Sequence, residues 1–284
     1  MRITRLIKKL TQPSDIDRYL KSGRVAWSPG YKKYRYNLLA AIPTDRELLG
    51  VFARRESLPQ GYGVGVDERI VEYPWLLSRM SGTGKLVLDG GSALNYPFLL
   101  DAPQFSGKRL VILTLTPEST MAKRQNVSYM FGDLRDTIFR DGIFDLIVSI
   151  STMEHIGMDN TKLYTQDDQL NESQPDDYLR VMDEFHRILK PGGRFLMTVP
   201  FGKAQDIGWL YQFDSKRLRQ AITTFGPDLE SATFYKYCHD GWDLADEYAC
   251  ADCEYYDVHS ASAPAPDLAA AARAVACLEF VKHA

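Results

Sequence analysis

Three short stretches of this chain put polar side chains where chemistry needs them. Leu86-Val-Leu-Asp89 is an apolar run that ends in an acid, and the small-residue turn Gly90-Gly91-Ser92-Ala93-Leu94-Asn95 follows. Glycine tolerates positive φ and has no Cβ, so such a turn opens backbone N–H groups to a nucleotide-like ligand; Asp89 then either meets the ligand or caps the turn. Phe131-Gly-Asp133-Leu134 sets a second acid past another apolar run, as a further ligand contact or as a plain Gly-Asp turn. Ser151-Thr-Met-Glu154-His155 follows a third run. A histidine there suits proton transfer near neutrality, while Glu154 and His155 could equally form a hydrogen-bonded pair with no chemical role.

These stretches need a scaffold that brings strand ends together, and the spacing predicts one. Strands are expected at Leu86–Asp89, Leu110–Leu115, Val127–Phe131, Phe144–Ile150 and Arg194–Val199, with a helix over Asp177–Lys190 stopped by Pro191-Gly-Gly193. Closing strands are expected at Ala232–Tyr237 and Val275–Lys282, the second preceded by a short helix in Asp267–Arg273. Residues 1–80 read as a helical lead-in: Ser14 and the Pro43-Thr-Asp45 stretch open helical patterns, and Pro74 is expected in the first turn of a helix carrying Trp75, Leu76 and Leu77. The predicted organisation is an N-terminal helical cap, 1–80, on a catalytic domain, 81–284.

The bulk numbers exclude several classes. The chain has 284 residues, 45% hydrophobic and 25% charged, with a net charge of −3. That supports a sizeable core and offers no basic stripe for nucleic acid. No apolar run is long enough for a membrane span, and a cytoplasmic protein acting on a small or neutral substrate is expected. Cys250 and Cys253 have the spacing of half a zinc site, but reduced, partly buried thiols are the expected state, and no metal is assigned.

The ordered set Val-Leu-Asp89-Gly-Gly-Ser92, Phe131-Gly-Asp-Leu-Arg-Asp136, Phe144-Asp-Leu-Ile-Val-Ser-Ile-Ser-Thr-Met-Glu-His-Ile-Gly157 and Leu189-Lys-Pro-Gly-Gly-Arg-Phe-Leu196 resembles a class I S-adenosylmethionine-dependent methyltransferase. Asp67-Glu-Arg-Ile-Val-Glu-Tyr-Pro-Trp75 is also similar to methyltransferases found with glycan-biosynthesis genes. The resemblance implies an α/β, Rossmann-like, doubly wound seven-stranded sheet whose last strand is antiparallel. It implies S-adenosylmethionine as cofactor, its methionine end held by Asp89, Gly90, Gly91 and Ser92, its ribose by Thr114 and Leu115, its adenine by Asp133 and Leu134, with Ser151 nearby.

The sequence departs from that pattern in two places. After Gly91 the turn reads Ser-Ala-Leu-Asn rather than continuing in glycines, and the residue expected to grip the ribose diol is Thr114 rather than an acid. A threonine hydroxyl gives one neutral hydrogen bond where a carboxylate accepts two charge-assisted ones, so Glu118 or Glu72 is a candidate replacement. For a hydroxyl acceptor His155 is the candidate base, with Glu154 beside it. The loop after strand four lacks the Asn/Asp-Pro-Pro-Tyr/Phe sequence of enzymes that methylate adenine or glutamine amides, which points away from those substrates.

The expected reaction is O-methylation of a small molecule or glycan precursor, with a homodimer left open. Tyr73, Trp75, Tyr164, Tyr211, Phe213 and Trp242 are candidates for the acceptor pocket, and the acidic stretch 164–177 is a candidate lid. Two other readings compete: a catalytically degenerate scaffold, motivated by Thr114, and a nicotinamide-dependent oxidoreductase, disfavoured because the turn lacks GxGxxG.

Overall fold

The computed structural model describes residues 14–82, 84–118, 120–162 and 168–283. The runs anticipated from their apolar content form β1 (Leu86–Gly90), β2 (Arg109–Thr114), β3 (Val127–Phe131), β4 (Phe144–Ile150) and β5 (Leu189–Pro200). These five pair in parallel in the order β3-β2-β1-β4-β5. The sheet continues through β10 (Ala274–Val281), β8 (Leu229–Cys238) and the edge strand β9 (Gly241–Ala245). The last strand, β10, lies between β5 and β8 and runs antiparallel to both. The main sheet therefore has eight strands rather than seven. The extra one, β9, returns through the Cys238–Gly241 turn and pairs antiparallel with β8. Two short strands, β6 (Gln205–Asp206) and β7 (Tyr211–Gln212), pair separately.

Side chains alternate across the sheet, so each face carries its own core. On one face Val87, Ile112, Leu146, Val148 and Val275 pack with Leu39, Phe52, Val71 and Trp75 of the N-terminal helices α2 (Tyr31–Ala41), α3 (Arg46–Arg54) and α4 (Arg69–Ser78). On the other, Leu88, Leu113, Phe195 and Leu278 pack with Phe185 and Leu218 of α6 (Tyr178–Ile188) and α7 (Ser215–Phe225). Between β1 and β2 lie only the single-turn α5 (Pro97–Leu100) and a short 3-10 turn, so the lead-in helices cover much of the first face.

Local signals hold at several termini. Ser14 caps α1 (Asp15–Lys21) in a reciprocal box with Asp17, and Asp45 caps α3 by accepting from Leu48 N. Pro74 corrects one expectation: α4 begins at Arg69, which puts the proline inside the helix. Proline cannot donate to the carbonyl four residues back, and Ile70 O is instead satisfied by the Tyr62 hydroxyl at 2.7 Å. Residues 267–273 correct another, since they form no helix. Ala269–Ala272 are buried, and their backbone is claimed by tertiary partners: Trp27 Nε1 donates to Ala270 O at 2.7 Å and Ala272 N donates to Glu68 Oε2 at 3.3 Å. The Pro191-Gly-Gly193 turn bulges within β5, where pairing with β4 jumps from Leu189 to Arg194. Among the described residues no helix is long and apolar enough to cross a membrane.

Candidate functional site

Parallel pairing brings the carboxyl ends of β1, β2, β3 and β4 to one edge, where open α/β sheets bind ligands. Asp89 is fully buried there; one oxygen accepts from Leu94 N at 2.8 Å, and the other, Oδ1, has no partner among the described residues. The acid thus caps the turn and also keeps an open acceptor. Burial pushes its carboxyl up to about 7, helped by the nearby Glu118 and opposed by the backbone bonds.

The turn after β1 is fixed by sterics. Gly91 N donates to Leu113 O at 2.9 Å, with φ at 113°, and a Cβ at this position would lie 2.1 Å from Thr152 Oγ1. Gly90 is confined differently, since a Cβ there would meet the Phe185 ring at 2.6 Å. Ser92 takes a positive φ of 66° without being glycine, and its hydroxyl donates to Glu118 Oε1. Glu118 also accepts from Asn95 Nδ2 at 2.5 Å, which lays this acid over the turn.

A first cleft of about 550 Å³ opens here, lined by Gly91, Thr114, Leu115, Asp133, Leu134, Arg135, Thr152, His155, Ile156 and Glu172 among others. Arg135, which is not among the anticipated site residues, binds both oxygens of Asp133 and ties down Glu172 at 2.7 Å and Asp177 at 2.5 Å. Burial works to raise the Asp133 carboxyl, but the bonds from Arg135 outweigh it and hold the group below its usual range. The same arginine anchors part of the stretch anticipated as a lid. Gln174 N also reaches Gly157 O at 2.7 Å. Tyr164 lies outside the described residues.

A second, more polar cleft of about 1320 Å³, including its open mouth, lies on the side of the lead-in helices. Ser151, at the tip of β4, lines it; its hydroxyl donates to Glu72 Oε1 at 2.6 Å. Glu72 sits behind the wall. It is fully buried, ion-paired with Arg69 and bonded to Thr198 Oγ1 at 2.6 Å, and it lines neither cleft.

Of the aromatic candidates, Tyr73 lines the second cleft, its hydroxyl donating to Ala93 O at 2.9 Å. Trp75, Phe213 and Trp242 are core residues, and the Tyr211 ring carries the Arg217 guanidinium at 3.7 Å. The walls are completed by Trp27, Tyr96, Trp209 and Tyr255, drawn from segments with no motif to mark them.

Gly91 and His155 line both clefts. His155 ends a 3-10 turn, Met153–His155, and its ring stacks on Trp209 with centroids 5.4 Å apart. Its Nδ1 lies 2.9 Å from Trp209 O. A carbonyl only accepts, so Nδ1 carries the hydrogen and the neutral ring keeps its lone pair on Nε2. Burial brings the His155 pKa down to about 4, so the ring is neutral at physiological pH. Glu154 Oε1 lies 3.8 Å from Nε2. Burial, with Glu72 and Glu68 as like-charged neighbours, holds the Glu154 carboxyl well above the usual range.

Residues 91–197, the span that carries the turn, Asp133, the 3-10 turn and the bulge of β5, match the family model of a methyltransferase domain. Over that span, a little over a third of its length, the chain is similar to that family. No curated protein matches the sequence.

Among solved structures the chain is similar to one in a Haloferax volcanii complex containing the Trm112 methyltransferase activator, at 16% identity, TM-score 0.47, covering 86% of this chain and 98% of the other. It is also similar to the [4+2]-cyclase SpnF, at 15% identity, TM-score 0.46, covering 89% and 96%. A third is a Burkholderia thailandensis 1,6-didemethyltoxoflavin-N1-methyltransferase with 1,6-didemethyltoxoflavin and S-adenosylhomocysteine bound, at 12% identity, TM-score 0.45, covering 88% of each chain.

The residues at this edge fit the S-adenosylmethionine that the sequence resemblance implies. A buried unpartnered acid oxygen on Asp89 suits an ammonium, the Cβ-free cradle at Gly91 admits a close backbone approach, and Leu115, Leu134 and Ile156 give apolar walls for a base. Cys250 and Cys253 are free and buried, and among the described residues no group of three or more His, Cys, Asp or Glu could hold a metal.

Proposed function

We propose that the first cleft holds S-adenosylmethionine, that the second holds a hydroxyl-bearing small molecule or glycan precursor, and that the product is a methyl ether. One observation carries this reading: His155, with its lone pair on Nε2, belongs to the wall of both clefts. When bound, the cofactor supplies a methyl group already activated by a sulfonium. Asp89, Gly90, Gly91 and Ser92 hold its methionine end at the junction, where Gly91 lines both clefts and Ser92 lines the second, while Thr114 and Leu115 hold its ribose and Asp133 and Leu134 its adenine. Ser151, braced by Glu72, shapes the junction. Glu118, fixed over the turn by Ser92 and Asn95, lines the second cleft, so β2 offers the ribose the Thr114 hydroxyl alone.

The chain's own task is positioning and proton transfer. His155 Nε2 accepts the acceptor's hydroxyl proton, and the Trp209 carbonyl holds the ring in the tautomer that can do so.

Calorimetric titration with S-adenosylmethionine and S-adenosylhomocysteine, with NAD as control, tests the cofactor half. Micromolar binding that Asp89→Ala abolishes supports it. Thr114 favours a second reading, a binding protein without turnover; absence of wild-type binding, restored by Thr114→Asp, would select it.

A further inference from the structure

The second cleft holds more negative than positive groups once its internal pairs are removed. Of its two arginines, Arg35 is paired with Asp67, and Arg69 with Glu72 behind the wall. Asp67 also accepts from the Tyr31 hydroxyl at 2.8 Å. Glu118 is engaged by neutral donors, Ser92 and Asn95. Two acids remain. Among the described residues, Glu68 accepts only from the backbone, at Ala272 N, while Glu154 is 2% exposed and its Oε2 has no partner.

A buried carboxyl oxygen without a donor is costly unless a ligand provides one. The surrounding walls include the indole of Trp209 and the ring of Tyr255, 6.1 Å apart in an edge-to-face arrangement. Aromatic faces attract cations, and an acid beside them adds a direct counter-charge.

We propose that this second cleft binds a protonated amino group of the acceptor, with Glu154 as its counter-ion, Glu68 nearby, and Trp209 and Tyr255 as aromatic walls. The proposal rests on reading this cleft as the acceptor pocket, and it narrows the substrate class to amine-bearing hydroxy compounds. The groups facing Glu154 are Arg69, Glu68, Glu72, His155 and Tyr255. Burial first, then Glu72 and Glu68, disfavours its ionised form, so the empty pocket keeps a proton on Glu154, and an entering ammonium displaces it to solvent. Binding therefore releases a proton, which a merely structural glutamate would not do.

The test uses the full-length chain with and without S-adenosylhomocysteine, titrated calorimetrically with benzylamine, its neutral isostere benzyl alcohol, and benzoate. Benzylamine is expected to bind at least about ten-fold more tightly than benzyl alcohol, with benzoate weakest. Its enthalpy should change with the ionisation heat of the buffer. Glu154→Gln should remove both the preference and the buffer dependence, and Glu68→Gln should reduce the preference; thermal melting checks that each variant is folded. Equal affinity for the amine and the alcohol, no binding of either, or a preference that survives both substitutions overturns the proposal. Binding of S-adenosylhomocysteine is scored separately. If it fails while the amine preference holds, the cofactor reading falls and the ammonium site stands; if it succeeds while the amine preference is absent, the ammonium site falls and the cofactor reading stands.

Discussion

The two clefts that meet at His155 are built on different principles. The first is made of backbone and of side chains at consecutive strand tips, so its shape is set by close contacts such as Gly91 against Thr152. The second is made of side chains from the lead-in, β4 and the loops near Trp209 and Tyr255, and its character is set by charge. Rigid sterics suit a cofactor common to many enzymes, whereas a wall of separately chosen side chains can be retuned for one acceptor.

The largest effect should come where the clefts join. With any acceptor that is methylated, His155→Gln should lower turnover by roughly 10²- to 10³-fold, with little change in affinity for S-adenosylhomocysteine. Wild-type turnover should fall only as the pH drops toward about 4, because the base must be unprotonated. An acid limb near 7 would instead implicate a carboxyl of the kind seen at Asp89 or Glu68.

Gly91→Ala tests the steric cleft. Forcing a side chain to φ 113° and into Thr152 should cost about 3 kcal/mol of stability, read by denaturant unfolding. Binding of S-adenosylhomocysteine should be lost, while the benzylamine preference of the second cleft is retained. Loss of both together would mean that the clefts are not separable.

Asp89 and His155 should give stability slopes of opposite sign. His155 is harder to protonate in the fold, so its contribution is complete above about 6.5 and is lost as pH falls toward about 4. Asp89 is easier to protonate in the fold, so stability declines as pH rises from 3.8 to about 7. Asp89→Asn should remove that decline and gain stability relative to wild type across the same window, measured by unfolding at several pH values. A difference that does not change with pH would show that Asp89 ionises normally.

Arg135→Ala should have the smallest effect. Stability should drop by about 1 kcal/mol, with faster hydrogen exchange in residues 168–177, because Glu172 and Asp177 lose their common partner. Unchanged exchange would remove Arg135 as the tie between Asp133 and residues 168–177.

The strand tips are legible in the sequence because their signals are local. An apolar run, a terminal acid and a turn of small residues occupy one stretch of chain, and parallel pairing gathers such stretches at one edge. The extra edge strand, β9, escapes such a reading because its five residues are short and polar in part, and it depends on β8 for pairing. The alanine run before β10 misleads for the opposite reason. Alanine favours helix, but here Trp27, Glu68 and the tyrosines Tyr19 and Tyr31 claim that backbone and its small side chains.

Pro74 shows the same division. The sequence identifies a helix there, yet its interior position depends on the Tyr62 hydroxyl serving Ile70 O. By itself, then, the sequence determined the sheet's parallel half and which residues stand at its strand tips, both of which follow from periodicity and turn chemistry within short windows. The tertiary structure alone decided the neutral tautomer of His155, the partnering of Arg135 and the acidic second cleft. Each of these joins groups far apart in the chain, and pairing and burial at such distances exist only once the chain has folded.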